Sequence, residues 1–199
     1  YPKYCKQPMT EDSILTGKLE PTNEAYAIAK ISGIIMCESF NKQYKTNYKC
    51  LMPTNAFGPN DNYDPLNSHF IPALIRKCHL IKKSKGKNKK LIIWGNGKAK
   101  REIIHSDDIA DACVFFMNKK KIADLINIGT GKEYTIEQYA KLFAKYLDVN
   151  IKIIFDKSKP NGMPRKVMDV SLAKKYGWVA KKTLKEAIVS TYRNYLNEK

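Results

Sequence analysis

No stretch of this sequence is apolar for long enough to cross a bilayer, and its opening residues, YPKYCKQPMTED, hold no signal-peptide core. A membrane partner is therefore excluded at this level, and a soluble protein is expected. Cysteine is sparse and odd in number: Cys5, Cys37, Cys50, Cys78 and Cys113 match neither zinc-ligand spacing nor a small disulfide framework. No metal site is expected, and the reducing cytoplasm is the expected setting. Arginine is scarce. Of 36 basic residues only Arg76, Arg101, Arg165 and Arg193 are arginine, although the net charge is +17. Surfaces that read bases or clamp phosphates favour arginine, so the charge predicts no specific nucleic-acid partner. The dense run Lys82 to Lys90 is expected to be a solvated loop. Also missing is a glycine-rich strand–turn–helix. Gly95-Asn96-Gly97 and Gly129-Thr130-Gly131 each lack the third glycine that a phosphate-binding loop needs.

What is present reads as an α/β protein. Asn23 is expected to cap a helix from Glu24 to about Tyr44, in which Ile28, Ile31 and Ile35 recur at helical spacing. Tyr48 to Thr54 reads as a strand. The stretch Asn55 to Asn67, rich in Asn, Asp, Gly and Pro, reads as loop. A helix follows over His69 to Ile81, with Pro72 in its first turn. Lys90 to Trp94 reads as a short buried strand and Glu102 to His105 as another. Asp107 or Asp108 is expected to cap a helix reaching about Asn118. Asp124 to Gly129 is strand, Thr135 to Leu147 amphipathic helix, and Asn150 to Phe155 strand. Lys157 to Lys166 reads as loop, and two helices, near 171–176 and 183–196, end the sequence. Strands alternating with helices predict at least a partly parallel sheet.

Tyr26 and Lys30 stand one helical turn apart, on one face. An ammonium at that distance favours the ionised form of a phenol, which suits a tyrosine that passes a proton to a carbonyl oxygen. The spacing alone is weak. With 12 tyrosines in a lysine-rich chain, chance gives about two such pairs; the second is Tyr195 and Lys199. Neighbouring residues add the context: LEPTNEAYAIAK at 19–30, LMPTNAFGP at 51–59, NDNYDPLNSHFIPAL at 60–74, WGNGKAKREIIHSDD at 94–108, NIGTG at 127–131 and KSKPNGMPRKVMD at 157–169. Each resembles the matching stretch of the extended short-chain dehydrogenase/reductases. Together and in this order they are similar to GDP-L-fucose synthases, over nearly the whole chain.

The resemblance implies a Rossmann-type parallel-sheet domain, of which residues 1–55 and about 107–129 would be the remainder. A small α/β substrate-binding domain would comprise about 56–106 and 130–199. It implies NADP(H) as cofactor and a GDP-sugar as substrate. Tyr26 would protonate the oxygen at carbon 4 of the sugar, and Lys30 would hold the nicotinamide ribose. Pro53, Thr54, Asn55 and Ala56 would line the nicotinamide end, with His69 beside it as the acid/base for epimerisation. Lys77, Trp94, Arg101 and Asn161 would bind the substrate. A homodimer through the first helix is also implied. The family's Ser and Cys catalytic residues and its main cofactor loop are expected upstream of Tyr1, in cis or on a separate amino-terminal half, so the chain alone is expected to be inactive. The sequence departs from the family at Asn161 (usually Asp), Lys77 (usually Arg) and Ser106 (usually Val). From position alone, other readings fit. His69 could be a polar first-turn residue, Trp94 core, His79 surface, His105 a packing residue, and Arg101 and Lys166 solvated charges. A related sugar-nucleotide epimerase or dehydratase, or a basic binding module without catalysis, remain the rival functions.

Overall fold

The computed structural model describes residues 1–85 and 89–197. The middle of the Lys82 to Lys90 run and Lys199, partner of Tyr195, lie outside the described residues. Helix α1 spans Glu24–Tyr44, followed by strands β1 (Cys50–Pro53) and β2 (Asn55–Phe57) and helix α2 (Phe70–Lys83). Strands β3 (Lys90–Trp94) and β4 (Lys100–His105) lead into α3 (Ser106–Met117) and β5 (Leu125–Ile128). The rest is β6 (Glu133–Thr135), α4 (Ile136–Tyr146), β7 (Lys152–Asp156), β8 (Arg165–Lys166), α5 (Ser171–Lys175) and α6 (Leu184–Asn197).

Three pairings are parallel strands brought together across long crossovers: β1 with β5, β2 with β4, and β3 with β7. At its start β4 also holds β6 antiparallel and β8 parallel, with Arg101 opposite Lys166. The architecture is thus mixed α/β with parallel sheet, as expected. One core gathers Phe57, Leu74, Ile75, Leu91, Ile93, Tyr139, Phe143 and Ile188 between α2, α4, α6 and the strands. A second joins α3 and α5 to β5 through Ala112, Phe116, Ile126, Ile128, Ala173 and Trp178. The apolar faces of α2 to α6 are what these two cores bury, whereas α1 lies outside both: Ile31 and Ile34 are buried, but Ile28 and Ile35 of its expected period are exposed.

Several local expectations need correction. Asn23 stands at the start of α1, but its side chain makes no capping bond; its N–H instead bonds Glu20 O, so a 3₁₀ turn at Pro21–Asn23 feeds the helix. Helix α3 is capped by neither Asp107 nor Asp108. His105 does it, its Nδ1 accepting from Asp107 N–H at 3.1 Å. The expected loop at 55–67 begins with β2, and the loop at 157–166 ends with β8, because both short segments are paired by β4. Strand β3 is not buried throughout: Leu91 and Ile93 face the core while Ile92 and Trp94 are exposed, the alternation of a one-sided strand. His79 is buried, its Nδ1 3.0 Å from the Tyr192 hydroxyl, rather than on the surface. Lys82 is no solvated loop residue either. It sits in α2 and donates to Leu147 O at 2.8 Å, at the end of α4.

Candidate active site

Tyr26 and Lys30 lie in the first turns of α1, both exposed, with the Lys30 ammonium 5.3 Å from the centre of the Tyr26 ring. Neither makes a hydrogen bond or ion pair with another candidate among the described residues. Residues 53–56 mark the point where the chain steps from one strand partner to another. Pro53 pairs with Ile128 on β5, and Asn55 pairs with Ile103 on β4. Between them Thr54 N–H bonds Ile128 O at 2.9 Å. The Thr54 hydroxyl and the Asn55 amide both donate to the carbonyl of Glu102, at 3.3 and 2.8 Å. This fixes the backbone of the step, with Pro53 and Ala56 left exposed.

His69 occupies the position before α2 in an extended conformation, exposed and without a capping bond. Asp61 is close enough for the two charges to interact, although burial is the larger influence and pushes the Asp61 carboxyl up. The approach to His69 is shaped by Asp64, whose Oδ1 accepts from the N–H groups of Leu66 and Asn67 at 2.9 and 2.8 Å.

The substrate candidates converge at one end of β3 and β7. Trp94 is 63% exposed, with the Lys159 ammonium 5.6 Å from its ring centre, so it is not core. Just beyond it, Asn96 N–H donates to Asn161 Oδ1 at 2.7 Å. Gly95 has φ +75°, and a Cβ there would lie 2.5 Å from that oxygen, so only glycine lets the two loops meet. Arg101 Nη1 donates to Met163 O at 2.6 Å, tying the same loop to β4. Lys77 reaches the edge of β3 and donates to Ile92 O at 3.0 Å. Burial, and then the neighbouring Arg76, lower the Lys77 ammonium from its usual value.

Lys166 belongs to this group, although its sequence context suggested only a solvated charge. It stands opposite Arg101 across the β4–β8 pairing. Both cations are half-buried, and among the described residues neither forms an ion pair. Burial lowers Arg101, while burial and then Arg101 lower Lys166. Two desolvated cations held together without an acid favour an anion, and guanidinium suits phosphate oxygens. The loop that Arg101 binds through Met163 also brings Lys159 over the exposed Trp94 indole, a flat apolar face. The Gly129-Thr130-Gly131 turn is not a phosphate cradle: the Gly131 N–H is directed at the buried Glu102 carboxylate, 2.7 Å away.

The chain is similar to several known proteins. Probable GDP-L-fucose synthase 1 of Oryza sativa subsp. japonica is 45% identical over 196 residues, covering 98% of this chain and 59% of that protein. GDP-L-fucose synthase of Escherichia coli (strain K12) is 43% identical over 205 residues, covering 98% and 63%. The chain therefore spans about three-fifths of the length of these curated relatives. Among solved structures, MlghC, a GDP-mannoheptose C4 reductase from Campylobacter jejuni with NADP bound, superposes with a TM-score of 0.87 at 36% identity, over 98% of this chain and 64% of that one. The profile of NAD dependent epimerases and dehydratases matches residues 1–129, the stretch that contains the Tyr26–Lys30 pair, the strand step at Thr54 and Arg101. On that match the chain belongs to the NAD dependent epimerase/dehydratase family.

Proposed function

We propose that this chain carries the sugar-nucleotide site and the Tyr–Lys pair of a GDP-L-fucose synthase. Such an enzyme converts GDP-4-keto-6-deoxy-D-mannose to GDP-L-fucose by epimerisation at carbons 3 and 5 and reduction at carbon 4. The observation that carries this reading is the Arg101–Lys166 pair, half-buried and, among the described residues, without an ion pair, with Arg101 bound to the loop whose Lys159 lies over exposed Trp94. It suits the diphosphate of a nucleotide sugar, with Asn161 on the loop that Arg101 binds and Lys77 on the edge of β3 as further substrate contacts. The 4-keto group acidifies the neighbouring carbons. His69, exposed in front of α2, removes and returns protons there, a role that suits an imidazole near neutral pH. NADPH, when bound, supplies the hydride to carbon 4. Tyr26 gives its hydroxyl proton to the carbon 4 oxygen, and Lys30 positions the ribose and stabilises the phenolate left behind. Pro53 to Ala56 fit the nicotinamide end, because their backbone is fixed and two of them are exposed. The Gly129–Gly131 turn does not fit the cofactor's phosphates, because its Gly131 N–H is taken by Glu102.

In the same proposal, residues 1–55 and about 107–129 complete a cofactor domain, and the remainder forms the substrate domain. The outer face of α1 exposes Ile28, Ile35, Met36, Phe40 and Tyr44, which supports its assignment to a homodimer contact. No helix among the described residues is long and apolar enough to cross a membrane; a cytoplasmic setting completes the proposal.

The test is a chimera in which the leading two-fifths, or about that share, of the Escherichia coli relative precede this chain. It should oxidise NADPH in the presence of GDP-4-keto-6-deoxy-D-mannose. Tyr26→Phe should slow that oxidation by about 100-fold or more while solvent deuterium still enters the sugar. His69→Asn should do the reverse, suppressing exchange at carbons 3 and 5 while substrate binding persists. A folded chimera without turnover, or wild-type exchange in His69→Asn, would sink the assignment.

A further inference from the structure

Glu102 has none of its surface exposed. Its Oε1 accepts from Gly131 N–H at 2.7 Å and from the Thr130 hydroxyl at 3.4 Å, and its Oε2 accepts from Met168 N–H at 2.8 Å. Among the described residues it forms no ion pair. Its main-chain carbonyl accepts from Thr54 and Asn55. Gly129 completes the enclosure, since a Cβ there would lie 2.3 Å from Oε1. One residue thus holds three separate segments: the strand step at 54–55, the turn after β5, and the exit from β8.

We propose that Glu102 is a positioning residue for the sugar-nucleotide site, its buried carboxylate holding β8 against β4 so that Lys166 stays beside Arg101. The proposal rests on the reading of that pair as the diphosphate site. Side chains alternate along a strand, so Arg101 and Glu102 point to opposite faces of β4. Arg101 is left on the ligand side while the carboxylate anchors the other. Met168, which donates to it, lies two residues beyond Lys166. Placing two cations side by side is unfavourable by itself. The β4–β8 pairing that imposes it covers only the registers Lys100–Arg165 and Arg101–Lys166. Two residues of ladder are a weak clamp, and the carboxylate bonds to Met168 and to the 130–131 turn supply what the ladder lacks. A buried carboxylate must accept hydrogen bonds to remain ionised, and N–H donors on both oxygens meet that need. Protonation, or an amide in its place, turns one acceptor into a donor facing an N–H.

The test uses this chain and GDP-mannose, whose diphosphate diester keeps its charge over the range examined. Glu102→Gln should unfold cooperatively, yet bind GDP-mannose about 10-fold or more weakly by calorimetry, the loss of about one charge-assisted hydrogen bond's worth of placement. Its amides at Lys166, Met168 and Gly131 should exchange with deuterium faster than in the unaltered chain. A pH series separates positioning from bulk stability. Burial raises the Glu102 carboxyl, with the hydrogen bonds opposing. Affinity of the unaltered chain should therefore begin to fall above the ordinary carboxylate value of 4.5 as pH drops, and Glu102→Gln should lack that limb. Titratable groups on the elements packed around it are Lys100, Arg101 and His105 on β4, Lys132, Glu133 and Tyr134 beside or on β6, Arg165 and Lys166 on β8, Asp169, and Tyr139 on α4. Any limb from these persists in the variant. Unchanged affinity and exchange in Glu102→Gln, or faster exchange with full affinity, overturns the proposal. If the unaltered chain does not bind GDP-mannose, the sugar-nucleotide reading falls, and the clamp is then judged by the exchange rates alone.

Discussion

His105 ends β4 with 2% of its surface exposed, edge-on to Phe57, and its Nδ1 serves as the cap acceptor for α3. A ring nitrogen that accepts cannot carry a proton, so the proton belongs on Nε2, which lies 3.4 Å from Ser190 Oγ. Asp107 Oδ2 also lies 3.6 Å from Nδ1, a contact that would suit the protonated ring. Burial outweighs that attraction and lowers the imidazole from its ordinary value. A histidine lowered in this way contributes stability that is complete above its unfolded value, near 6.5, and is lost as pH falls through the folded one. The melting temperature should therefore drop as pH is taken from above 7 to below 6. His105→Asn, which keeps a capping acceptor but does not titrate, should flatten that slope. Equal slopes for the two proteins would show that His105 is not the sensor. Burial is also what the sequence could not display at this scale. Glu102 and Lys166 sit in REIIH and PRK as ordinary charges, and only the strand pairing shows one enclosed and the other forced against Arg101.

Helices were legible because each carries its own signal. The apolar period places α1, α2, α4 and α6 within a residue or two. Thr135 and Gln138 form a reciprocal capping box at the start of α4. Strands β2, β6 and β8 were not legible. Each has two or three residues, too few to show a period, and their hydrogen-bond partners all lie on β4. The site divides along the same line. Tyr26 and Lys30 are candidates from helical spacing and His69 one from the family resemblance of its neighbours, whereas the Arg101–Lys166 pair depends on β8. Two tests belong to these elements. Thr135→Ala should cost about 1 kcal/mol in urea unfolding. At the other end of α1, Lys45 closes the helix at φ +56°, a left-handed conformation that side chains resist. Lys45→Gly should stabilise the protein by roughly 0.5–1 kcal/mol, seen as a higher urea midpoint at unchanged slope. A loss of stability there would mean that the Lys45 side chain has a role the backbone does not reveal.

The whole molecule carries a net charge of +17, dominated by lysine. Such a surface attracts polyanions without reading them. Binding to duplex DNA should be weak, indifferent to sequence, and should collapse between low and physiological salt as counterions are no longer released to advantage. Sequence-selective binding at physiological salt would instead favour a nucleic-acid module. The first ten residues are seated by residues far along the chain. Met9 N–H bonds Val167 O, Asp169 N–H bonds Met9 O, and the Gln7 side chain accepts from Val167 N–H. Asn127 donates to both Met9 O and Asp169 O, joining the three segments. On a ribosome adding about 5–20 residues each second, the interval between making Met9 and making Met168 is on the order of 10–30 s. For that time Met9 has its Asn127 partner at most, and waits for Val167 and Asp169. The pairing of Met9 with 167–169 is thus among the last contacts the chain can close, and translation speed sets how long it stays open.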